Sequence, residues 1–274
     1  MHINCKGKLI DLSSPKIMGI LNITPDSFYD GNTLKSDKDI LLRTEKMLIE
    51  GATFIDVGGY SSRPNAKNVN AKEELQRVVP VIKLLNKEFP KSLISIDSFR
   101  SKIAFEAIQN GACLVNDISA GTMDNNMFNT VAKLQVPYLI MHMQGTPQDM
   151  QNNPEYNDIV KEIILYFSEK IYQLRQLQVN DIIIDVGFGF GKTLEQNYQL
   201  LNNLVLFKSL EVPILSGLSR KSMLYKLLNT NPEKALNATT VANTIALMNG
   251  SNILRVHDVK EANETIKIFL TLKA

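Results

Sequence analysis

A chain of 274 residues with 44% apolar content can bury one large core, which excludes a fibrous or disordered polymer. The 30 Lys and Arg against 28 Asp and Glu leave a net charge of +2, which excludes the basic excess that a nucleic-acid binder needs to displace counterions. Cys5 and Cys113 lie far apart without a Cys-x-x-Cys, no apolar run approaches the roughly 20 residues of a membrane span, and the N-terminus lacks an export signal; a zinc site, a disulfide framework and a membrane are excluded, and a cytoplasmic location is expected.

Ile3, Cys5, Leu9 and Ile10 around Lys6-Gly7-Lys8 predict a short N-terminal hairpin. Apolar, β-branched runs then recur at residues 17–21, 54–57, 93–96, 113–115, 138–141, 182–184, 212–215 and 252–256, each too short for a buried helix. Ser36 stands where an N-cap would open a helix over residues 37–49, and Gly51 and Gly111 stand where left-handed caps would close helices. Leu75, Val78, Val79, Ile82 and Leu85 recur at helical spacing, as do Ile159, Ile163, Phe167, Ile171 and Leu174. Eight strand–helix units in roughly 250 residues imply an α/β fold, a (β/α)8 TIM barrel, with an open doubly wound sheet as the structural alternative. No internal repeat or linker divides the chain, so residues 1–274 read as one domain. Val241, Ile245 and Met248 form a late apolar stripe that suits either a core face or a contact between two copies of the chain.

In such barrels the reacting groups stand at the carboxyl ends of the strands, here Asn22, Gly58, Asp97, Asn116, His142, Asp185, Ser216 and His257. A single Asp after a strand is more often a turn former than a catalyst, but convergence of Asp97, Asn116 and Asp185 on one mouth favours a site. Cations gather at the same end: Arg63, Lys221 within Gly217-Leu-Ser-Arg-Lys-Ser222, and Arg255. Loops after the last two strands of these barrels commonly bind phosphate, whereas Arg220 and Lys221 read equally well as a solvated helix start. The run Gly187-Phe-Gly-Phe-Gly-Lys-Thr193 is not a P-loop, because Val186 occupies the place of that motif's first glycine. Its glycines suit close backbone approach to a flat ligand, with Phe188 and Phe190 as walls or core.

Seven ordered motifs carry a resemblance to a known family: Gly19-Ile-Leu-Asn-Ile-Thr-Pro-Asp-Ser-Phe28, Ser95-Ile-Asp-Ser98, Val115-Asn-Asp-Ile118, Met141-His-Met-Gln-Gly-Thr-Pro147, Asp185-Val-Gly-Phe-Gly-Phe-Gly-Lys192, Gly217-Leu-Ser-Arg-Lys-Ser222 and Arg255-Val-His-Asp258. Over about residues 17–269 the chain resembles the dihydropteroate synthases, pterin-binding transferases of folate biosynthesis that join a pterin methyl diphosphate to p-aminobenzoate and are the target of sulfonamides. The resemblance implies that Asp97, Asn116, Asp185 and Lys221 hold the pterin, with Met141 or Phe190 on its face. It implies that Asn22, Arg63, Arg255 and His257 hold the diphosphate, and that Mg2+ on that diphosphate is ligated by Asn22 and Asp30. Phe28, Pro64, Lys221 and Ser222 would form the p-aminobenzoate site, near Ser62, and the family's homodimer would be the assembly. Residues 24–35 and 59–69 would be lids.

The implied chemistry separates charge, cationic on the pterin methylene and anionic on the diphosphate, so Asp97 and Asp185 would face the first while Arg255 and the metal face the second. A neutral arylamine attacks without a nucleophilic side chain. Tyr60, Ser62, Asn65 and Val186 stand where the family usually has Glu, Thr, Gly and Pro, and Tyr60 is the change expected to weaken sulfonamides more than substrate. Two other readings compete: a pterin-binding domain of a corrinoid methyltransferase, which has no use for the cationic set, and a non-catalytic pterin-binding paralogue.

Overall fold

The computed structural model describes residues 1–23, 36–60 and 69–273. The chain opens with β1 (His2–Cys5) and β2 (Lys8–Asp11), an antiparallel pair joined through Lys6 and Gly7. Both turn residues have positive φ, 53° and 76°, the mirror-image turn that matches strand twist in a two-residue hairpin.

Eight parallel strands follow and close on themselves: β3 (Lys16–Asn22), β4 (Phe54–Gly58), β5 (Leu93–Asp97), β6 (Leu114–Asp117), β7 (Tyr138–Met141), β8 (Ile182–Asp185), β9 (Ile214–Ser216) and β10 (Ile253–Val256). β10 pairs with β3, so the sheet is a barrel and the open alternative is excluded. The helices between strands include α1 (Asp37–Ile49), α2 (Ala71–Glu88), α3 (Ser101–Gln109), α4 (Met127–Leu134), α5 (Ile159–Gln176), α6 (Leu194–Asn202), α7 (Ser222–Leu227), α8 (Leu236–Met248) and α9 (Val259–Thr271). Ser36 caps α1 by accepting from the Asp39 amide, and Gly51 and Gly111 take φ of 107° and 115° just past their helices, as the sequence implied.

Strand alternation explains both the core and the site. Residues such as Ile55, Val57, Ile94, Ile96, Val115, Ile140 and Ile184 belong to the main core formed with the helices. The positions between them face the lumen. Met18, Phe54, Leu93, Leu114, Leu139, Ile183, Leu215 and Ile253 form an inner layer that packs with Ile3, Cys5, Ile10 and Leu12 of the hairpin. The hairpin therefore plugs the amino-terminal end of the barrel. Two residues further along the same inward rows stand Asp56, Asn116, Met141, Asp185, Gly217 and Arg255, with Asn22, Gly58, Asp97 and His257 at the carboxyl rim. One register step along each strand thus exchanges an apolar plug for a polar mouth.

The late apolar stripe is not core. Val241, Ile245 and Met248 are 53%, 40% and 58% exposed on α8, whose inner side is Ala242, Ala246 and Leu247.

Candidate active site

The centre of the mouth is one guanidinium shared by two carboxylates. Arg255 Nε donates to Asp56 Oδ2 at 2.7 Å and Nη2 donates to Asp97 Oδ2 at 2.6 Å. Asn116 Nδ2 donates to the same Asp56 Oδ2 at 2.9 Å, and the ladder sets Gly58, Asp97 and Asn116 side by side on β4, β5 and β6. Asp56 Oδ1 is buried and has no hydrogen-bond partner among the described residues, so the site presents an acceptor that a donor-bearing ligand would satisfy.

Asp185 and Lys221 form the other wall. Asp185 Oδ1 accepts from the Gly187 amide at 2.8 Å, and Lys221 Nζ donates to Phe188 O while standing 4.7 Å from the centre of the Phe190 ring. A Cβ on Gly217 would lie 3.6 Å from Asp185 Oδ2 and 3.8 Å from Lys221 Nζ, so that glycine leaves open the space both charges border. At the end of β4, a Cβ on Gly58 would stand 3.3 Å from Asn22 Oδ1 and 3.6 Å from Asp97 Oδ2, so the glycine keeps a side chain from between those two groups. Met141, Phe99 and Ile118 make a small apolar cluster, with Tyr60, Met143 and Phe190 packed on it. Phe188 is fully buried core, so of the two aromatic residues only Phe190 belongs to the mouth.

Burial pushes the Asp97 carboxyl up to about 7 against the pull of Arg255, and Asp56, Glu74 and Asp117 push the same way. Burial also raises Asp185, opposed by Lys221 and by the Gly187 hydrogen bond. Lys221 is lowered to about 8 by burial, with Asp185 opposing. Burial works against the Arg255 charge, but Asp56 and Asp97 outweigh it and hold the guanidinium protonated. These are strongly perturbed groups in one mouth, the pattern of a catalytic site.

At the rim, Ser219 Oγ lies 3.0 Å from His257 Nδ1 and accepts from the His257 amide at 3.2 Å. Burial, then Arg255, lowers His257 to about 3, so it brings a neutral imidazole rather than a charge. Arg220 is not a solvated helix start: it bonds both Asp258 oxygens at 2.8 and 2.9 Å and the Pro232 and Glu233 carbonyls at 2.9 Å. That brace fixes the turn from which Lys221 enters the mouth and Ser222 begins α7. Tyr60 meets Phe99 edge-on at 5.2 Å and lies 5.5 Å from the Arg100 guanidinium, which also bonds the buried Glu74.

The matching family model is that of the pterin binding enzymes, over residues 18–257. Dihydropteroate synthases of Escherichia coli K12 and Haemophilus influenzae are each 42% identical to the chain, covering 98% of it and 95% and 98% of their own lengths. The chain belongs to the dihydropteroate synthase family. Among solved members, the Yersinia pestis dihydropteroate synthase in a sulfonamide drug complex superposes with a TM-score of 0.94 at 40% identity, covering 100% of this chain and 99% of that one. The Xanthomonas albilineans dihydropteroate synthase with 4-aminobenzoic acid gives 0.92 at 35% identity, covering 100% and 98%.

Of the residues singled out in the sequence, Asp97, Asn116, Met141, Asp185, Phe190, Lys221, Arg255 and His257 stand at this one end, as do Asn22 and Ser222. Phe28, Asp30, Ser62, Arg63 and Pro64 lie outside the described residues. The sequence reading set acidic and basic walls apart; here Arg255 lies between Asp56 and Asp97, because two inward carboxylates on neighbouring strands require a cation close by. Asp56 was missed. Its signal is a carboxylate inside an otherwise apolar strand, Phe54-Ile-Asp-Val-Gly58, where inspection of strand ends does not look.

Proposed function

We propose that this chain condenses 6-hydroxymethyl-7,8-dihydropterin diphosphate with p-aminobenzoate, giving dihydropteroate and diphosphate. The observation that carries the reading is the ring of Asp56, Asp97, Asn116, Asp185, Lys221 and Arg255 around space left open by Gly58 and Gly217. A pterin offers ring N–H and amino donors along one edge, and Asp185 and the orphaned Asp56 Oδ1 supply matching acceptors. Met141 and Phe190 supply apolar contact for a flat ring. Lys221 donates to ring acceptors and, with Ser222, borders the arylamine site, where Phe28, Pro64 and Ser62 of the first two loops would join it.

Ionised Asp97 and Asp185 stabilise the cation that develops on the pterin methylene as the C–O bond breaks. Arg255 pairs with Asp56 and Asp97, opposes the burial that raises Asp97, and sets positive charge beside them, with His257 as a neutral donor to the leaving group. Each such preorganised contact is worth roughly 3–4 kcal/mol of barrier. The arylamine attacks through its neutral lone pair, and its proton leaves afterwards to water.

Magnesium fits this donor set in one way. Asn22 offers a hard oxygen beside Gly58. Asn22 and Asp30 would hold Mg2+, which would neutralise the diphosphate leaving group. Arg63 would join that anion. The exposed Val241, Ile245 and Met248 face suits a homodimer, and no helix among the described residues is long and apolar enough to cross a membrane, in keeping with a cytoplasmic enzyme.

Expression in a bacterial strain that lacks its own synthase and requires folate end-products tests the proposal. Growth without supplement is expected; accumulation of folded chain with no growth would overturn it.

A further inference from the structure

The loop after β8 lays its backbone directly on the end of β7. Gly187, at φ 72°, has no room for a Cβ because His142 O occupies its place, and a Cβ on Gly191 would lie 2.7 Å from Gln144 O. One side chain stitches the two together. Lys192 is 3% exposed, and its Nζ donates to Phe190 O at 2.8 Å and to His142 O at 3.3 Å, and lies 3.1 Å from His142 Nδ1. An ammonium carries three hydrogens and accepts nothing, and two carbonyl oxygens and one ring nitrogen around Nζ match that set; facing a charged Lys192, the imidazole nitrogen is the unprotonated one. His142 is 8% exposed, meets Tyr166 edge-on at 4.9 Å and lies 6.0 Å from Tyr156. Burial, then the Lys192 charge, lowers the ring to about 2, so it is neutral, and a bare Nδ1 facing Nζ leaves its proton on Nε2. Burial and Lys221 draw the Lys192 pKa well below its ordinary range while Asp185 opposes them, so the ammonium form rests on the three acceptors gathered around Nζ.

The two carbonyls that Lys192 holds belong to the neighbour of Met141 and to Phe190 itself, the two apolar contacts assigned to the ring. We infer that Lys192 is a positioning residue that fixes the width of the pterin slot, acting through the His142 and Phe190 carbonyls and through a His142 ring locked as the Nε2–H tautomer. The inference rests on the function proposed above, and its experiment separates the two.

Nitrogen-15 spectra of the full-length chain, which has 3 histidines, read the tautomer directly. His142 is expected to be neutral with Nδ1 bare from about pH 5 to 8, and to lose that single tautomer in Lys192→Met. In steady-state kinetics Lys192→Met and His142→Leu should raise the pterin diphosphate KM roughly tenfold, with kcat and the p-aminobenzoate KM changed by less than about threefold. His142→Asn, whose side-chain oxygen can replace Nδ1 as acceptor, should keep a near-normal pterin KM. A protonated Nδ1 in the wild type, an unchanged pterin KM in Lys192→Met, or equal effects of His142→Asn and His142→Leu would overturn the inference. Absence of turnover in the wild type would instead contradict the functional reading, and the tautomer would still decide the stitch. The two His142 variants keep the kinetic test available if Lys192→Met does not fold.

Discussion

Asp97 shows how the site stores charge that the fold would rather lose. Its carboxyl is raised from an ordinary 3.8 to about 7, so the folded chain binds that proton more tightly than the unfolded one. The associated stability is present below pH about 4 and is lost as pH rises through about 7. Asp97→Asn should therefore melt higher than the wild type at about pH 8 and show no such gain near pH 4. The same substitution should lower kcat/KM by about a hundredfold or more, because it removes a charge needed as the methylene becomes cationic. Matched melting curves and initial rates check both; a stable variant with wild-type turnover would remove Asp97 from the mechanism. In the wild type, kcat/KM should fall below about pH 7 as Asp97 takes up its proton, with a one-proton slope.

At the scale of elements, the inward row of each strand carries the account. Gly217 follows β9 and faces the gap between Asp185 and Lys221, and its φ is not in the positive region, so a substitution there tests space rather than backbone strain. Gly217→Ala should retain most pterin affinity, since its Cβ makes ordinary contacts, while Gly217→Val should lose binding by about tenfold or more with little change in melting temperature. Calorimetry with 6-hydroxymethylpterin measures it; equal affinities would mean the ring does not lie there. The same periodicity explains what was legible in the sequence. Strand–helix alternation and the apolar runs were plain, and so were Asp97 and Asp185, which end their strands. Asp56 escaped because the lumen-facing rows repeat every second residue, and an inward polar position inside a run looks like a defect in an apolar strand until the neighbouring Arg255 is seen. Arg255 and Asp97 were read as opposing walls because sequence gives strand ends but not lateral proximity across the barrel. The Arg220 brace was equally hidden, since its partners lie 12 to 38 residues further along the chain.

At the scale of the whole molecule, the barrel separates stability from chemistry. The hairpin residues Ile3, Cys5 and Ile10 close the amino-terminal end against Phe54, Leu114 and Ile183, and the polar mouth lies two residues further along those same strands. Ile3→Ala should cost about 2–4 kcal/mol of unfolding free energy by opening a cavity in the plug, with the KM values for both substrates unchanged. A denaturant titration beside steady-state rates would show it, and a shift in substrate KM would mean that the two ends are coupled. The central claim is that this mouth breaks a carbon–oxygen bond between a pterin and its diphosphate and passes the carbon to an arylamine. The most direct measurement is a quenched time course with purified chain, pterin diphosphate, p-aminobenzoate and Mg2+, following dihydropteroate and free diphosphate together. The account predicts that both appear in equal amounts and that Asp185→Asn nearly abolishes both; tight pterin binding with no diphosphate released would contradict it.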